Sequence, residues 1–570
     1  MFSWGGGLAV PSVAVDADKE RTPPEPPTPL DFPAYIPRDE TAPPSERSCD
    51  ALYRLLSRVK KPQDITEAYL KRLNLAVEPD VPVSDILPGG VLPTLAPYHW
   101  PEPSSDPAPS GDGSMPIPIL MNNGSPFPPK EKYDQMREEL CFDNDDAFRS
   151  VARVAPRPGR ERVRIAQSRK FWAGLDQIAQ YWDTSLDKYI ERPADNPPMQ
   201  DKMHVNDKEE GGTPPNSEKT EGKRDIDGQM KAQGSTKGPS SGENTKGSGS
   251  KTMYSGLRIG TGREMPEQAR EDTLRGLVEM VAWSFGCQAS IPSMPPRLAV
   301  KGLLFPVRQT FTVSRCPQDR QTARKGILEG PMVLVQCREE TAFHEEKDGQ
   351  ENKTAEICDL LRETAAMLLF AQERAREGAT EVRLGDGKWW TTTPRWGGAA
   401  NAGPSGDQEE KGENNSKDEP SADEQAPNKR SKLGSSSLPF RRPGSHSKKL
   451  SVGEKWRLLQ PGPSLWDKKM RYMQIGKDKD SPFDDIFMLS SINHHFAIIH
   501  LRVHRNYLEW LKSGKSDFPD ETTMMTTSGS DNPPWYAIKL RRTKWFDLLR
   551  PDDRVEGFDA LWALFTWLMR

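Results

Sequence analysis

The stretch PEQAREDTLRGLVEMVAWSFG, residues 266–286, decides how the fold is read. Leu274, Leu277, Val278, Val281, Ala282 and Phe285 recur at the three-and-four spacing of one helical face. Pro266 suits a first turn, Glu267, Glu271 and Asp272 lie near the positive end, and Gly286 is a stop. An apolar stripe needs a surface to bury. Working outward, Ile357, Leu360, Leu361, Thr364, Met367, Leu368 and Ala371 make a second stripe, with Thr354 as its cap and Gly378 beyond its last turn. Between the two helices lie three short runs rich in β-branched residues, Leu298 to Leu304, Val307 to Val313 and Met332 to Cys337, punctuated by Pro306, Pro317, Gly330 and Pro331. The simplest construction is a small sheet with helices packed on it.

Composition limits how much of the chain joins that construction. Of 570 residues only 34% are hydrophobic, mean hydropathy is -0.77, and there are 53 prolines and 44 glycines, which leaves about half the chain to bury a core. A net charge of -4 is too small to imply a nucleic-acid or membrane partner, so such an argument must be local. Residues 1–19 lack a basic start and a continuous apolar run, and no segment approaches the roughly 18 to 20 apolar residues that span a bilayer. Six scattered cysteines, without a CxxC pair, argue against a disulfide scaffold or a thiolate metal site. A soluble, intracellular, reduced protein is the expectation.

In order, residues 1–130 read as a mostly disordered Pro-rich region, in which PPEPPTP could meet an aromatic groove. Two short helices interrupt it near 48–75. Leu52, Leu55, Leu56 and Val59 stripe the first, and Asp64 with Glu67 is an acidic variant of the capping box on the second. Each is too short to stand alone, so they dock on the main domain in cis or bind a partner helix. Residues 77–130 read as linker. Residues 131–192 form a helical part of the core, with Trp172, Leu175, Ile178, Ala179, Trp182, Leu186 and Tyr189 on one face of a helix from about Arg162 to Tyr189.

Residues 193–251 read as a disordered insertion, 252–396 as the central α+β core, and 397–449 as a second insertion, acidic in its first half and basic in its second. Residues 450–570 complete the core, with strands at Phe483 to Ile492, Phe496 to Val503 and Trp535 to Leu540. A final helix begins near Pro551 with the stripe Val555, Phe558, Leu561, Trp562, Phe565 and Leu568. The expected fold is a single discontinuous Trp-rich α+β domain of mixed sheet and helices, interrupted by long disordered insertions; two separate small domains is the alternative.

Three constellations bear on chemistry. NHHFAIIHLRVH holds His494, His495, His500 and His504. In a strand, His494, His500 and His504 share a face with Phe496 and Ile498. In a helix starting near His500, His500 and His504 stand one turn apart as two metal ligands. Neither version supplies a third ligand at fixed spacing, so a structural strand with partly exposed imidazoles is the competing reading. KWWTTTPRW places Trp389, Trp390 and Trp396 among bases, as a stacking platform would, with similar pairs at Arg169 to Trp172 and Arg541 to Trp545. Ordinary core packing under cationic stems explains the same residues. Lys429, Arg430, Lys432, Arg441, Arg442, Lys448 and Lys449 fit a nuclear import signal or a solvated linker. The glycines at 256, 260 and 262 match neither phosphate-loop pattern, which leaves a tight turn into the helix, and no catalytic signature is present.

The segments SRKFWAGLDQIAQYWDTSLDKY, IGTGREMPEQAREDTLRGLVEMVAWSFGCQ, LEGPMVLVQCREET, ETAAMLLFAQERAREG, GKWWTTTPRWGG and FDDIFMLSSINHHFAIIHLRVH together resemble a group of filamentous ascomycete proteins with no assigned activity. The resemblance implies provenance, and a role assigned through genomic neighbourhood such as a secondary-metabolite gene cluster. It carries over no catalytic residue and no cofactor. The expected function is a non-enzymatic intracellular interaction protein with a protein partner, without membrane attachment. The alternatives are an enzyme of unfamiliar type with a His-lined pocket and a nuclear nucleic-acid binder.

Overall fold

This computed structural model describes residues 22–37, 48–59, 62–88, 120–192, 251–291, 296–301, 303–347, 350–376, 471–515 and 534–570. They belong to two units, one of Pro24–Thr184 and Arg258–Arg570, the other of Met1–Pro23 and Ser185–Leu257. The larger begins with α1 (Cys49–Arg58), α2 (Glu67–Leu73), β1 (Leu75–Glu78), α3 (Val83–Ile86), α4 (Lys130–Leu140), α5 (Asn144–Ala152) and α6 (Arg169–Trp182). In the smaller, β2 (Tyr189–Arg192) pairs antiparallel with β3 (Lys251–Tyr254). The Tyr189 and Tyr254 rings meet edge to face at 5.4 Å, and the Tyr254 hydroxyl donates to Asp187.

The larger unit continues with α7 (Glu267–Ser284), β4 (Cys287–Ser290), β5 (Arg297–Val300), β6 (Leu303–Pro306), β7 (Phe311–Arg315), α8 (Arg320–Arg324), β8 (Ile327–Arg338), β9 (Glu345–Lys347), β10 (Gln350–Asn352) and α9 (Thr354–Ala375). After them come β11 (Arg471–Met473), β12 (Phe483–Ile492), β13 (His495–His504), α10 (Arg505–Ser513), β14 (Ile538–Arg542), β15 (Phe546–Asp547) and α11 (Pro551–Leu568). The fold is α+β with a mixed sheet in the order β1-β14-β13-β12-β8-β7-β4; β11 lies beside β8 and β15 beside β13. β8 runs parallel to β12, and β12 runs antiparallel to β13 over its whole length. The strand from the central part of the chain therefore sits next to strands from the C-terminal part.

β8 and β12 are buried along nearly their whole length because both of their faces are covered. On one face Leu334, Ile486, Met488, Ile499, Leu501, Val503, Ile538 and Leu540 share a core with α1, α2, α9, α10 and the β5–β6 hairpin. The other face meets α11, where Trp567 packs on Phe487, and α7, whose C-cap Phe285 packs on Trp562 and Phe565 of α11. α9 is about 33 Å long at the usual rise. It is tied to the sheet at its C-terminal end by buried Arg374, which makes a two-point pair with Asp484 of β12 at 2.9 and 3.0 Å and donates to the carbonyls of Pro331 and Ile475.

Several sequence expectations change. The helix expected from Arg162 to Tyr189 is α6 alone. It opens where the buried Glu139 carboxylate accepts from the amides of Ala166, Gln167 and Ser168, and it closes at extended Asp183. Beyond it Leu186 lies in a 3-10 turn, and Tyr189 belongs to a strand of the smaller unit. The run Leu298 to Leu304 is two strands, turned at Lys301 with φ 53°. Within 77–130, read as linker, lie the end of β1, α3 and the start of α4. Asp64 sits in a 3-10 turn and Thr66 precedes α2, so no capping box forms there. A complete box forms instead between Thr261 and Glu264, and it closes the glycine turn before α7. Part of the Pro-rich region, Pro24 to Pro37, is packed into the larger unit with Thr28, Pro33 and Pro37 buried. The stretches 1–21, 38–47, 193–250 and 377–470 lie outside the described residues, and with them Trp389, Trp390, Trp396 and all seven basic residues of the import candidate.

α6 and α7 approach through glycine on both sides. A Cβ on Gly174 would stand 2.8 Å from the Thr273 Cα, and one on Gly276 would stand 2.8 Å from the Phe171 Cα. Alanine at a helix interior ordinarily gains about 0.5–1 kcal/mol over glycine. Here the obstacle is backbone, so Gly276→Ala is expected to lose about 1–3 kcal/mol of stability in urea unfolding. A stabilised variant would contradict this packing.

Candidate functional site

Charge collects at one end of the sheet. β8 finishes with Arg338, whose side chain is 0% exposed, and α9 passes over it carrying Asp359 and Glu363 one turn apart on the same face. The guanidinium bonds Asp359, lies 3.0 Å from Glu363 and donates to Ser490 of β12, whose hydroxyl donates in turn to Glu363 at 2.5 Å. One buried cation thus serves two buried carboxylates. Burial pushes the Asp359 carboxyl up to about 6 despite Arg338, with the Glu363 charge adding to the rise. Beside them Arg362 pairs with Glu340 at 2.8 Å. Burial would raise Glu340, but Arg362 and Arg308 hold it down to about 2. Parallel strands β8 and β12 both end here, and the C-terminal ends of parallel strands are where such sheets usually place ligands.

The β12–β13 turn is locked to this end. Asn493 takes φ 52°, a conformation Asn tolerates well. Its side chain accepts from Arg270 of α7 at 3.0 Å and donates to the Glu340 carbonyl at 3.0 Å, while its amide donates to the Arg338 carbonyl at 3.1 Å. The next two residues, His494 and His495, are thereby fixed against β15, in which Asp547 stands directly across from His495. His494 Nε2 is 3.9 Å and His495 Nε2 3.8 Å from the Asp547 carboxylate oxygens. The two imidazoles are 4.2 Å apart; Trp182 packs on the first and Phe32 on the second. Burial drives the His494 value well below its ordinary one and brings His495 down to about 4.

Trp545 joins the two clusters. It stacks on Phe32 at 5.2 Å, and the guanidiniums of Arg338 and Arg542 lie over its ring at 5.7 and 5.3 Å. Phe32 belongs to the strap Pro24–Pro37, which has no helix or strand of its own. The strap is held by side chains and single backbone bonds. Asp31 accepts from the amides of Phe343 and His344 and pairs with the His344 imidazole, whose Nε2 is 2.8 Å from Glu356; Glu356 also accepts from the Ala34 amide at 2.7 Å. The Pro33 carbonyl accepts from Arg542 at 2.9 Å.

The histidines singled out in the sequence do not assemble as a trio. His500 hydrogen-bonds Asp485, 2.9 Å away, and stacks on Phe487. His504 is the N-cap of α10, accepting from the Asn506 amide, so the helix begins after it and not near His500. His494 instead meets His495 and Asp547. Of the other basic-aromatic pairs, Phe171 and Trp172 are buried, with Arg554 over the Trp172 ring, which is core packing. Only the pair ending in Trp545 reaches the site. Arg338, Asp359, Glu363, Asp547, Asp31 and His344 had no motif to announce them; the readable signal was an arginine closing an apolar strand and two carboxylates at i, i+4 in an otherwise apolar helix.

Arg338→Met would leave Asp359 and Glu363 buried without a counter-charge. It is expected to cost about 3–5 kcal/mol in urea unfolding, with most of the loss recovered when Asp359→Asn and Glu363→Gln are added. A single-variant loss under about 1 kcal/mol would contradict the network as drawn. No family model, curated protein or solved structure matches this chain, so its site stands on its own residues.

Proposed function

We propose that the chain is an intracellular interaction protein, whose larger unit carries a groove for a short proline-containing segment. The observation that supports it is the strap. A segment with no helix or strand of its own lies across the charged end of the sheet with Phe32 between Trp545 and His495, Leu30 and Tyr35 against apolar clusters, Pro33 buried, and its polar groups met by His344, Glu356 and Arg542. An aromatic anchor, buried prolines and a few well-placed polar partners are the features by which extended peptides are recognised. A segment held this way can be exchanged for another of the same chemistry, because no strand ladder has to break. The six cysteines are all unpaired, in keeping with a reducing compartment, and among the described residues no helix is long and apolar enough to cross a membrane.

The test cuts the strap free without removing it. A site-specific protease sequence placed in 38–47 of the full chain allows cleavage, after which a labelled peptide of residues 22–37 is offered. The reading predicts that the cut fragment stays associated yet exchanges with the peptide, and that Phe32→Ala in the peptide weakens binding by about tenfold or more. A fragment that never exchanges, or one with no measurable affinity, would overturn it.

The same assay carries a pH prediction. Burial alone would raise the Asp31 carboxyl, but the His344 side chain and the amides of His344 and Phe343 outweigh it and hold the value below the ordinary 3.8. A depressed carboxylate stabilises the bound form fully above its free value and loses that contribution as pH falls through the bound one. Peptide affinity should therefore weaken as pH drops below about 3.8. Asp31→Asn should lose the dependence.

A further inference from the structure

We propose that His494, His495 and Asp547 form a binding site for one divalent transition-metal ion, with zinc as the reference ion. The three side chains each offer a ligand atom, and these atoms lie within 4.8 Å of one another. Two imidazoles and a carboxylate are the donor set that zinc and its first-row neighbours accept. The placement is built by the fold. The anchored Asn493 turn presents both histidines, and β15 sets Asp547 opposite His495 before α11 begins.

The polar atoms of the two rings are not used elsewhere. Among the described residues neither imidazole makes a side-chain hydrogen bond, and in each ring it is Nε2 that faces the Asp547 carboxylate, at 3.9 and 3.8 Å, and is free to ligate, while Nδ1 is buried on the other side of the ring. The Asp547 carboxylate is restrained by one amide, that of Leu549 at 2.8 Å. It can therefore turn inward, and it must. Ligand atoms about 2.0–2.2 Å from zinc stand about 3.3 Å apart in a tetrahedron, roughly 0.5 Å closer than the carboxylate stands to either imidazole, and because the three ligand atoms are spread over as much as 4.8 Å the imidazoles must rotate as well. The other charges nearby, Arg550, Asp553 and Arg554, act on the cluster at longer range. Three protein ligands would leave a fourth position for water or a ligand group, the arrangement of zinc sites that take part in chemistry more than of closed structural ones. None of the three ligands belongs to the strap, so this site does not depend on the peptide-groove reading.

The test uses the full chain, stripped with a chelator and titrated with zinc against a metal-binding dye. One equivalent should bind. His495→Ala and Asp547→Asn should each weaken that binding by roughly tenfold or more, while His504→Ala, at the far end of β13, should leave it unchanged. Circular dichroism establishes that the variants fold. If they do not, X-ray absorption on the zinc-loaded unsubstituted chain decides the matter, with two imidazoles expected in the metal shell. No saturable one-to-one binding, equal affinity in the folded variants, or a shell without imidazole would overturn the proposal.

Discussion

One buried guanidinium holds this fold together at the charged end of its sheet. Arg338 closes β8, takes Asp359 and Glu363 from α9, and reaches Ser490 on β12, so three elements far apart in sequence share one buried charge cluster. Charges taken out of water are costly, and they persist only where each has its partners. That requirement fixes the rotation and the height of α9 over the sheet, which apolar contacts alone would leave open to sliding. At the other end Arg374 and Asp484 do the same work, so the helix is pinned twice.

From that constraint the remaining geometry follows in steps. With β8 and β12 held level, Asn493 can bond Arg270 and the Glu340 carbonyl, and the tight turn it makes sets two histidines side by side. Trp545, lying under two guanidiniums, then offers its other contact to Phe32. The charged end of the sheet is in this way finished by a segment from the beginning of the chain. The strap relies on side-chain partners and single amide bonds, whereas β12 and β13 share a continuous ladder. In the ordinary hierarchy of local openings such a segment belongs nearer the low-stability end.

Much of the scaffold was readable from periodicity. α7, α9 and α11 and the hairpin strands β12 and β13 lie where the three-and-four and alternating patterns put them, because in each the buried face is made of many similar residues and no single contact decides the outcome. The site was less legible. His494 to Asp547 spans 53 positions, and Asp31 to His344 spans 313, so neither pairing leaves a spacing in the sequence. The histidine run drew attention to the right hairpin and to His494, yet parity along a strand grouped it with His500 and His504, which serve as the partner of Asp485 and as a helix cap. His495, on the opposite parity, is the one that β15 meets, and β15 is only two residues long. Pro24 to Pro37 misled through composition: Pro-rich polar sequence usually stays solvated, but here it is ordered by partners contributed from elsewhere.

Whether the strap is seated in solution is measured directly by hydrogen exchange followed by mass spectrometry on the intact chain. Amides such as Asp31 and Ala34, which donate to the Thr341 carbonyl and to Glu356, should exchange more slowly than an unprotected peptide and faster than the paired amides of β12 and β13. Exchange of residues 24–37 at the rate of a free peptide would contradict that seating.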